Sequence, residues 1–184
     1  MGRFTLIYFK YTGDSLSTDV RLCGRINRAK FKLDTGSPIT IITAATMEYL
    51  TGYNIKVIQR FLSSKKSVVF HSFTQESVSV VPCLFRGAVI GEANHEGRHV
   101  NLDYFMVFVA NVLKGNNLLG MDFMAGCEGT FEFGKFIVND FEEHVYHRHF
   151  LRQCGNIDPY EIDELKSMAS KSSVNDLLSR AEGN

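Results

Sequence analysis

The sequence has no excess charge, few cysteines and no long apolar run. Its 20 Lys and Arg residues balance 20 Asp and Glu residues, so the net charge is zero. We therefore expect neither nucleic acid nor a membrane as a partner, since both attract a basic surface. The apolar run Thr5 to Phe9 is too short to span a bilayer and no small-residue cleavage site follows it, so a cytoplasmic location is expected.

The few cysteines lie far apart and form no C-x-x-C pair: Cys23, Cys83, Cys127 and Cys154. This spacing argues against a zinc knuckle and against a dithiol redox site. Without a sign of secretion, a disulfide framework has little support. We expect free, buried thiols.

The chain of 184 residues with 45% hydrophobic side chains is long enough for one globular domain with an extension. Its central stretch is an apolar-alternating strand that delivers Asp34 into a turn of small residues, Thr35, Gly36 and Ser37, before a second apolar run. Gly36 permits close backbone approach, and the two hydroxyls can bond a carboxylate. The pattern indicates that the turn holds the Asp34 carboxylate in place for a functional role. The alternative is an ordinary Asx turn between two strands.

The D-T-G-S turn at Asp34 resembles the active-site turn of aspartic proteases. Downstream, Leu118, Leu119 and Gly120 are similar to the apolar-apolar-Gly segment that crosses the active-site loop in that family. Pepsin-like enzymes carry two such turns in two lobes, whereas this chain has one. The sequence thus resembles a single-lobe retropepsin-like protease of the retroviral type, over roughly residues 20 to 140.

The resemblance implies a mainly β fold, namely a closed β-barrel or sandwich with a flap hairpin and one or two short helices, at residues 1–140. A helical C-terminal extension follows at residues 141–184. It also implies an aspartic endopeptidase that acts as a homodimer on a peptide or protein substrate, without a cofactor or metal. By this resemblance, Asp34 would be the catalytic residue, Thr35 would bond across the dimer axis and Ser37 would bond the outer oxygen of Asp34. The alternative is a non-catalytic or autoinhibited module for dimerisation or peptide binding.

Local patterns predict several elements around this turn. Short strands are expected at 6–11, 19–23 and 29–33, and further apolar strands at 85–90 and 100–112. A two-turn helix is expected at 44–50, a short helix from Phe123 to Gly126, and a final hairpin at 130–138.

A hairpin at 67–81 matches the flap by its position, because it alternates apolar and polar residues on both sides of a polar middle. The resemblance places Phe73, Thr74 and Gln75 near the tip, against the substrate. Flap tips usually carry glycine and this one has none. An ordinary surface hairpin is the alternative.

The segment His95 to His99 satisfies the H-E-x-x-H pattern of zinc metalloproteases. That pattern needs a helix, but Gly91 and Gly97 bracket or interrupt the segment and its neighbours are β-patterned. No third ligand follows at the required spacing. A polar hairpin tip is favoured over zinc chemistry.

The remaining acids and histidines receive structural interpretations. Asp122 is the rival candidate for a catalytic carboxylate, but it lies past the crossing segment and lacks a following glycine. We therefore expect a structural role, as the cap of a short helix. A solvated turn is favoured over a metal site for the histidines at 144, 147 and 149. Two short tail helices are expected, one starting at Asp158 and Pro159 and one at Ser173.

Overall fold

The computed structural model of the chain describes residues 7–71, 76–92 and 99–182. These residues form eleven strands: β1 (Ile7–Thr12), β2 (Ser15–Leu22), β3 (Arg28–Leu33), β4 (Ile41–Thr43), β5 (Val68–His71), β6 (Ser77–Ile90), β7 (Val100–Ala110), β8 (Leu118–Leu119), β9 (Cys127–Glu132), β10 (Lys135–Phe141) and β11 (Tyr160–Glu161). They also form five helices: α1 (Ala44–Thr51), α2 (Ile55–Ser63), α3 (Met121–Ala125), α4 (Glu143–Gln153) and α5 (Asp163–Glu182).

All eleven strands belong to one mixed sheet in the order β11-β6-β7-β4-β8-β3-β2-β1-β10-β9, with β5 added on β6. The fold is therefore mainly β, as predicted. A further pairing joins β2 to β6, so the path from β6 through β7, β4, β8 and β3 returns to its start. The predicted closed barrel stays a prediction.

The core is built from the sheet and contains buried side chains from all five helices. From Phe105 to Ala110, β7 is buried at every position, and it pairs with β6 over nearly its whole length. Such a continuous apolar run is typical of a strand covered on both faces. Phe105 packs edge-on against Phe31 of β3, with ring centroids 5.9 Å apart, so the core reaches the strand that leads to Asp34.

The helices begin and end where the sequence supplies caps. The Thr43 hydroxyl accepts from Thr46 N–H at the start of α1, and Gly52 ends that helix with a positive φ of 76°. The predicted helix at 44–50 is thus confirmed. The sequence analysis missed α2, in which Asn54 caps the first turn and the apolar face is buried.

The C-terminal region differs from the sequence prediction in three places. A helix, α4, occupies the stretch that was expected to be a histidine-rich turn, because Tyr146 and Phe150, one turn apart, are fully buried. Asp158 and Pro159 precede the short strand β11 and do not start a helix. One helix, α5, continues through Ser173, where a second helix was expected to begin.

All four cysteines are free thiols, and Cys23 is exposed, contrary to expectation. Burial raises the pKa of Cys127 to about 12, so that thiol is not primed for reaction. No helix among the described residues is long and apolar enough to cross a lipid bilayer.

Candidate active site

The turn after β3 fixes the carboxylate of Asp34 at one oxygen and leaves the other open. Gly36 N–H donates to Asp34 Oδ1 at 2.8 Å, and no donor among the described residues reaches Oδ2. Asp34 N–H donates to the Leu119 carbonyl at 3.0 Å, and Ser37 N–H donates to the Asp34 carbonyl at 3.2 Å. The hydrogen bond from Gly36 holds the carboxylate in place. Because the residue is only half-buried, the carboxylate is still reachable from solvent.

The segment that carries Leu118 and Leu119 lies between the two strands on either side of this turn. As β8, it runs parallel to β3, with Leu33 opposite Leu119, and antiparallel to β4, with Ile41 opposite Leu118. Just beyond it, Met121 N–H donates to the Ser37 carbonyl at 2.8 Å. Backbone pairing on both sides therefore fixes where the Asp34 turn sits.

Gly120 makes this crossing possible. A Cβ atom at Gly120 would lie 2.2 Å from the Ile39 carbonyl oxygen and 2.8 Å from the Ser37 carbonyl oxygen. Real Cβ contacts are essentially never this short, so only glycine lets the two backbones pass.

The hydroxyl residues of the turn are used differently from expectation. The Ser37 hydroxyl donates to the Ile39 carbonyl at 2.7 Å, so it does not donate to the outer oxygen of Asp34 as the family resemblance implied. Its role here is to close the turn on itself. Thr35 is exposed at the apex, and its contact with a partner subunit stays a prediction.

Asp122 is buried, and its carboxylate forms hydrogen bonds with Thr40, which follows the Asp34 turn. Its Oδ1 accepts from the Thr40 hydroxyl and from Phe123 N–H, both at 2.7 Å, and its Oδ2 accepts from Thr40 N–H at 3.0 Å. The Thr40 hydroxyl in turn accepts from Gly120 N–H at 3.2 Å. Burial raises the pKa of Asp122 to about 6, against the lowering effect of these hydrogen bonds.

This geometry corrects the expected role of Asp122. The residue lies inside α3, whose N-cap is Gly120 and has no side-chain capping bond. Asp122 therefore does not cap the helix but joins it to Thr40, which follows the Asp34 turn in the chain. Sequence spacing gave no signal for this contact, because the two residues are 82 positions apart.

Two recesses meet at Asp34. One, of about 580 Å³, is lined mainly by apolar groups, and we name it the apolar recess: Pro38, Ile39, Ile41, Phe70, Val78 and Leu118, with Gly36, Ser37, His71, Glu76 and Ser77. The other, of about 510 Å³, lies on the Thr35 side, and we name it the polar recess: Tyr11, Asp14, Ser15, Leu16, Lys32, Leu33, Asn116, Leu118 and Phe131. Asp34 and Leu118 line both recesses.

The arms of the expected flap border the apolar recess. β5 pairs antiparallel with β6, from Val68 opposite Val80 to His71 opposite Ser77. The tip residues Phe73, Thr74 and Gln75 lie outside the described residues, so their contact with substrate stays a prediction.

No group of three or more His, Cys, Asp or Glu side chains in the described residues has the geometry of a metal site. Residues 95–98 of the H-E-x-x-H segment lie outside them. Of the α4 histidines, His147 faces the sheet, with Nε2 2.9 Å from the Tyr104 carbonyl oxygen and 3.3 Å from Glu143 Oε1. Its ring is therefore engaged in fixing α4 to β7.

Comparisons with known proteins give a limited result. No protein-family model matches the chain, and no curated protein sequence matches it. Among solved structures, the chain is similar to a retropepsin-like aspartic protease from Rickettsia conorii, with a TM-score of 0.47 and 16% sequence identity. The match covers 72% of this chain and 88% of that chain.

Proposed function

We propose that this chain is an aspartic endopeptidase that acts as a homodimer, with one Asp34 from each subunit forming the catalytic pair. The observation that supports this most is the geometry of Asp34. Its carboxylate is fixed by the Gly36 N–H at one oxygen, open at the other, and placed where two recesses meet. A peptide in extended form would then have its scissile bond beside the carboxylate.

The reaction needs two acids, because one must take a proton from water while the other donates to the carbonyl oxygen. Carboxylates held about 3 Å apart share a single proton, since both cannot ionise cheaply. In this proposal one Asp34 is the base that activates water, and the protonated Asp34 of the second subunit stabilises the developing oxyanion.

A second copy of the chain is the proposed source of the second acid. Asp122 is buried at 2% exposure and fully engaged by donors, so it does not supply it. Thr35 is exposed at the turn apex, and the exposed Tyr11 and Phe131 border the polar recess on the same side. We propose that this side meets the second subunit and that Thr35 bonds across the axis.

The decisive experiment compares Asp34→Asn with a carboxylate substitution outside both recesses. Asp34→Asn should abolish cleavage of an unfolded protein substrate and of a peptide library, while the mass measured by light scattering stays that of a dimer. Asp103→Asn is the matched control, since it removes one exposed carboxylate that lines neither recess. It should retain most of the activity.

Two results would contradict the proposal. One is a wild-type chain that binds peptides and cleaves none, which favours the peptide-binding module. The other is full activity in Asp34→Asn. The pH profile adds an independent check, because a shared proton requires a bell-shaped dependence of kcat/KM on pH.

A further inference from the structure

The C-terminal extension supplies a strand to the edge of β6, next to the strand that borders the apolar recess. Along this edge, β5 pairs with residues 77–80 of β6 and β2 pairs with residues 88–90. Between them, Tyr160 and Glu161 of β11 pair in parallel with Cys83 and Leu84. The extension thus fills the gap between β5 and β2 and is part of the sheet.

The same extension holds the chain where it enters β5. The Tyr160 hydroxyl accepts a hydrogen bond from Lys66 N–H at 3.2 Å. The neighbouring Lys65 ammonium lies 5.4 Å from the centre of the Phe61 ring and 5.2 Å from that of Tyr160, and it forms an ion pair with Glu164 of α5. A cation held between two rings and a carboxylate is fixed more firmly than an open surface lysine.

The Lys65 ammonium is better shielded from solvent than the other cation that contacts the extension. The Lys65 side chain is 15% exposed, whereas Arg86, which pairs with Glu161 of the same extension at 3.1 Å, is 64% exposed. Solvent therefore screens the Lys65 ammonium less than the Arg86 guanidinium, while the two carboxylates are similarly exposed, Glu164 at 52% and Glu161 at 45%. Leu165, the residue after Glu164 in α5, is fully buried.

β5 depends on such an anchor because it is short and lies at an edge. It has four residues, and in the described part of the chain it pairs with β6 alone. Two of its residues, Phe70 and His71, line the apolar recess. The Phe70 ring packs edge-on against Phe108, with centroids 5.3 Å apart. A shift at the start of β5 therefore moves a wall of the recess.

We infer that Lys65 and Tyr160 are positioning residues for substrate binding: through them the C-terminal extension sets the place of β5 and so the shape of the apolar recess. The inference deepens the proposed endopeptidase function and rests on it for its kinetic consequence. Neither residue lines the recess, so both act through Phe70 and His71.

Amide hydrogen exchange tests the anchoring without any need for activity. Tyr160→Phe removes only the acceptor of Lys66 N–H, and Lys65→Met removes the charge while keeping an apolar stem between the two rings. In each full-length variant, the amides of residues 66–71 should exchange roughly 3- to 10-fold faster than in the wild type. Lys65→Arg keeps the charge and the ring contact, so it should restore slow exchange.

Two variants serve as matched controls. Arg86→Met removes the exposed ion pair of the same extension, and Tyr49→Phe removes an exposed hydroxyl on α1. Both should leave exchange at residues 66–71 within about twofold of the wild type. If Tyr160→Phe and Lys65→Met also stay within that range, the inference is wrong.

The kinetic arm separates positioning from general destabilisation. A misplaced recess wall weakens ground-state and transition-state binding alike, so KM should rise about 3- to 10-fold in Lys65→Met while kcat stays within about twofold. An unchanged KM, or a loss confined to kcat, would overturn the positioning role. A wild-type chain without cleavage would contradict the proposed function instead, and the exchange arm would still decide whether the extension holds β5.

Discussion

At the residue scale, Asp122 is a buried acid that joins α3 to Thr40, just after the Asp34 turn. It accepts three hydrogen bonds, two of them from Thr40 and one from Phe123. An asparagine would place an N–H against one of these donors, whichever way its amide pointed. The carboxylate is buried, and burial raises its pKa from 3.8 to about 6. Its contribution to stability must therefore depend on pH.

Asp122→Asn should reveal that dependence. A raised folded-state pKa stabilises the fold fully below about pH 4, and this contribution is lost as pH rises through about 6. The free energy of unfolding of the wild type, relative to Asp122→Asn, should thus fall by about 2 kcal/mol between pH 4 and pH 7. Urea unfolding at half-unit pH steps measures it. A constant difference across this range would contradict the assignment.

Gly120→Ala tests the crossing segment directly. The added methyl would meet the Ile39 carbonyl at 2.2 Å, so the backbone on one side of the Asp34 turn must move. We expect a loss of about 3 kcal/mol or more in unfolding free energy, with loss of cleavage. Gly155→Ala is the control, since it has open space but a positive φ of 62°, and it should cost about 1 kcal/mol. Equal losses in both variants would contradict the steric explanation.

At the scale of elements, α4 closes an edge of the sheet. β4 pairs with β7 only at residues 108–110, so among the described strands none pairs with Tyr104 and Met106 on that side. Side chains of α4 take its place. Glu143 accepts from Tyr104 N–H at 3.0 Å, and the Tyr146 hydroxyl bonds both the N–H and the carbonyl of Met106. Buried backbone groups need such partners, so this helix completes the sheet.

Tyr146→Phe should therefore destabilise the fold beyond the loss of one ordinary hydroxyl. It leaves the buried N–H and carbonyl of Met106 without partners, at a cost of about 1–3 kcal/mol in unfolding free energy. Chemical unfolding measures the loss, and hydrogen exchange should accelerate at the Met106 amide. The exposed Tyr49→Phe should be neutral. No difference between the two would show that α4 is dispensable to this edge.

The sequence predicts elements well where local patterns decide them and poorly where distant contacts do. β3, α1 and the β9–β10 hairpin follow from alternation, caps and a turn glycine. α2 also had a local signal that was missed, namely the apolar pairs Val57, Ile58 and Phe61, Leu62 after a capping Asn54. By contrast, β11 has two residues and exists because the edge of β6 is free there.

The candidate site was likewise predictable where a local motif marks it and unpredictable where distant residues meet. The D-T-G-S turn and the L-L-G segment were visible as motifs, and the structure brings them together through β3, β8 and β4. The Asp122–Thr40 contact and the Lys65 anchor join residues 82 and 99 positions apart, so no window of sequence contains them. Such contacts depend on tertiary packing, which overrides local preference.

At the scale of the whole molecule, the proposal requires two chains for one site, and dilution tests this. If the dimer alone is active, the specific activity should fall as the protein concentration drops below the dimer dissociation constant. Light scattering or sedimentation at the same concentrations should show the loss of dimer in parallel. Specific activity that is constant while the dimer dissociates would contradict the shared site.

A subunit-mixing experiment goes further, because it asks whether one chain can work with an inactive partner. Wild type is mixed with Asp34→Asn and left until subunits exchange. If mixed dimers are inactive, an equal amount of variant should reduce the activity of a fixed amount of wild type to about half, and a fourfold excess to about one fifth. Assay immediately after mixing is the control, since the variant then acts only as a bystander protein. Activity that stays constant after exchange would mean that a single Asp34 is enough, and the shared catalytic pair would be excluded.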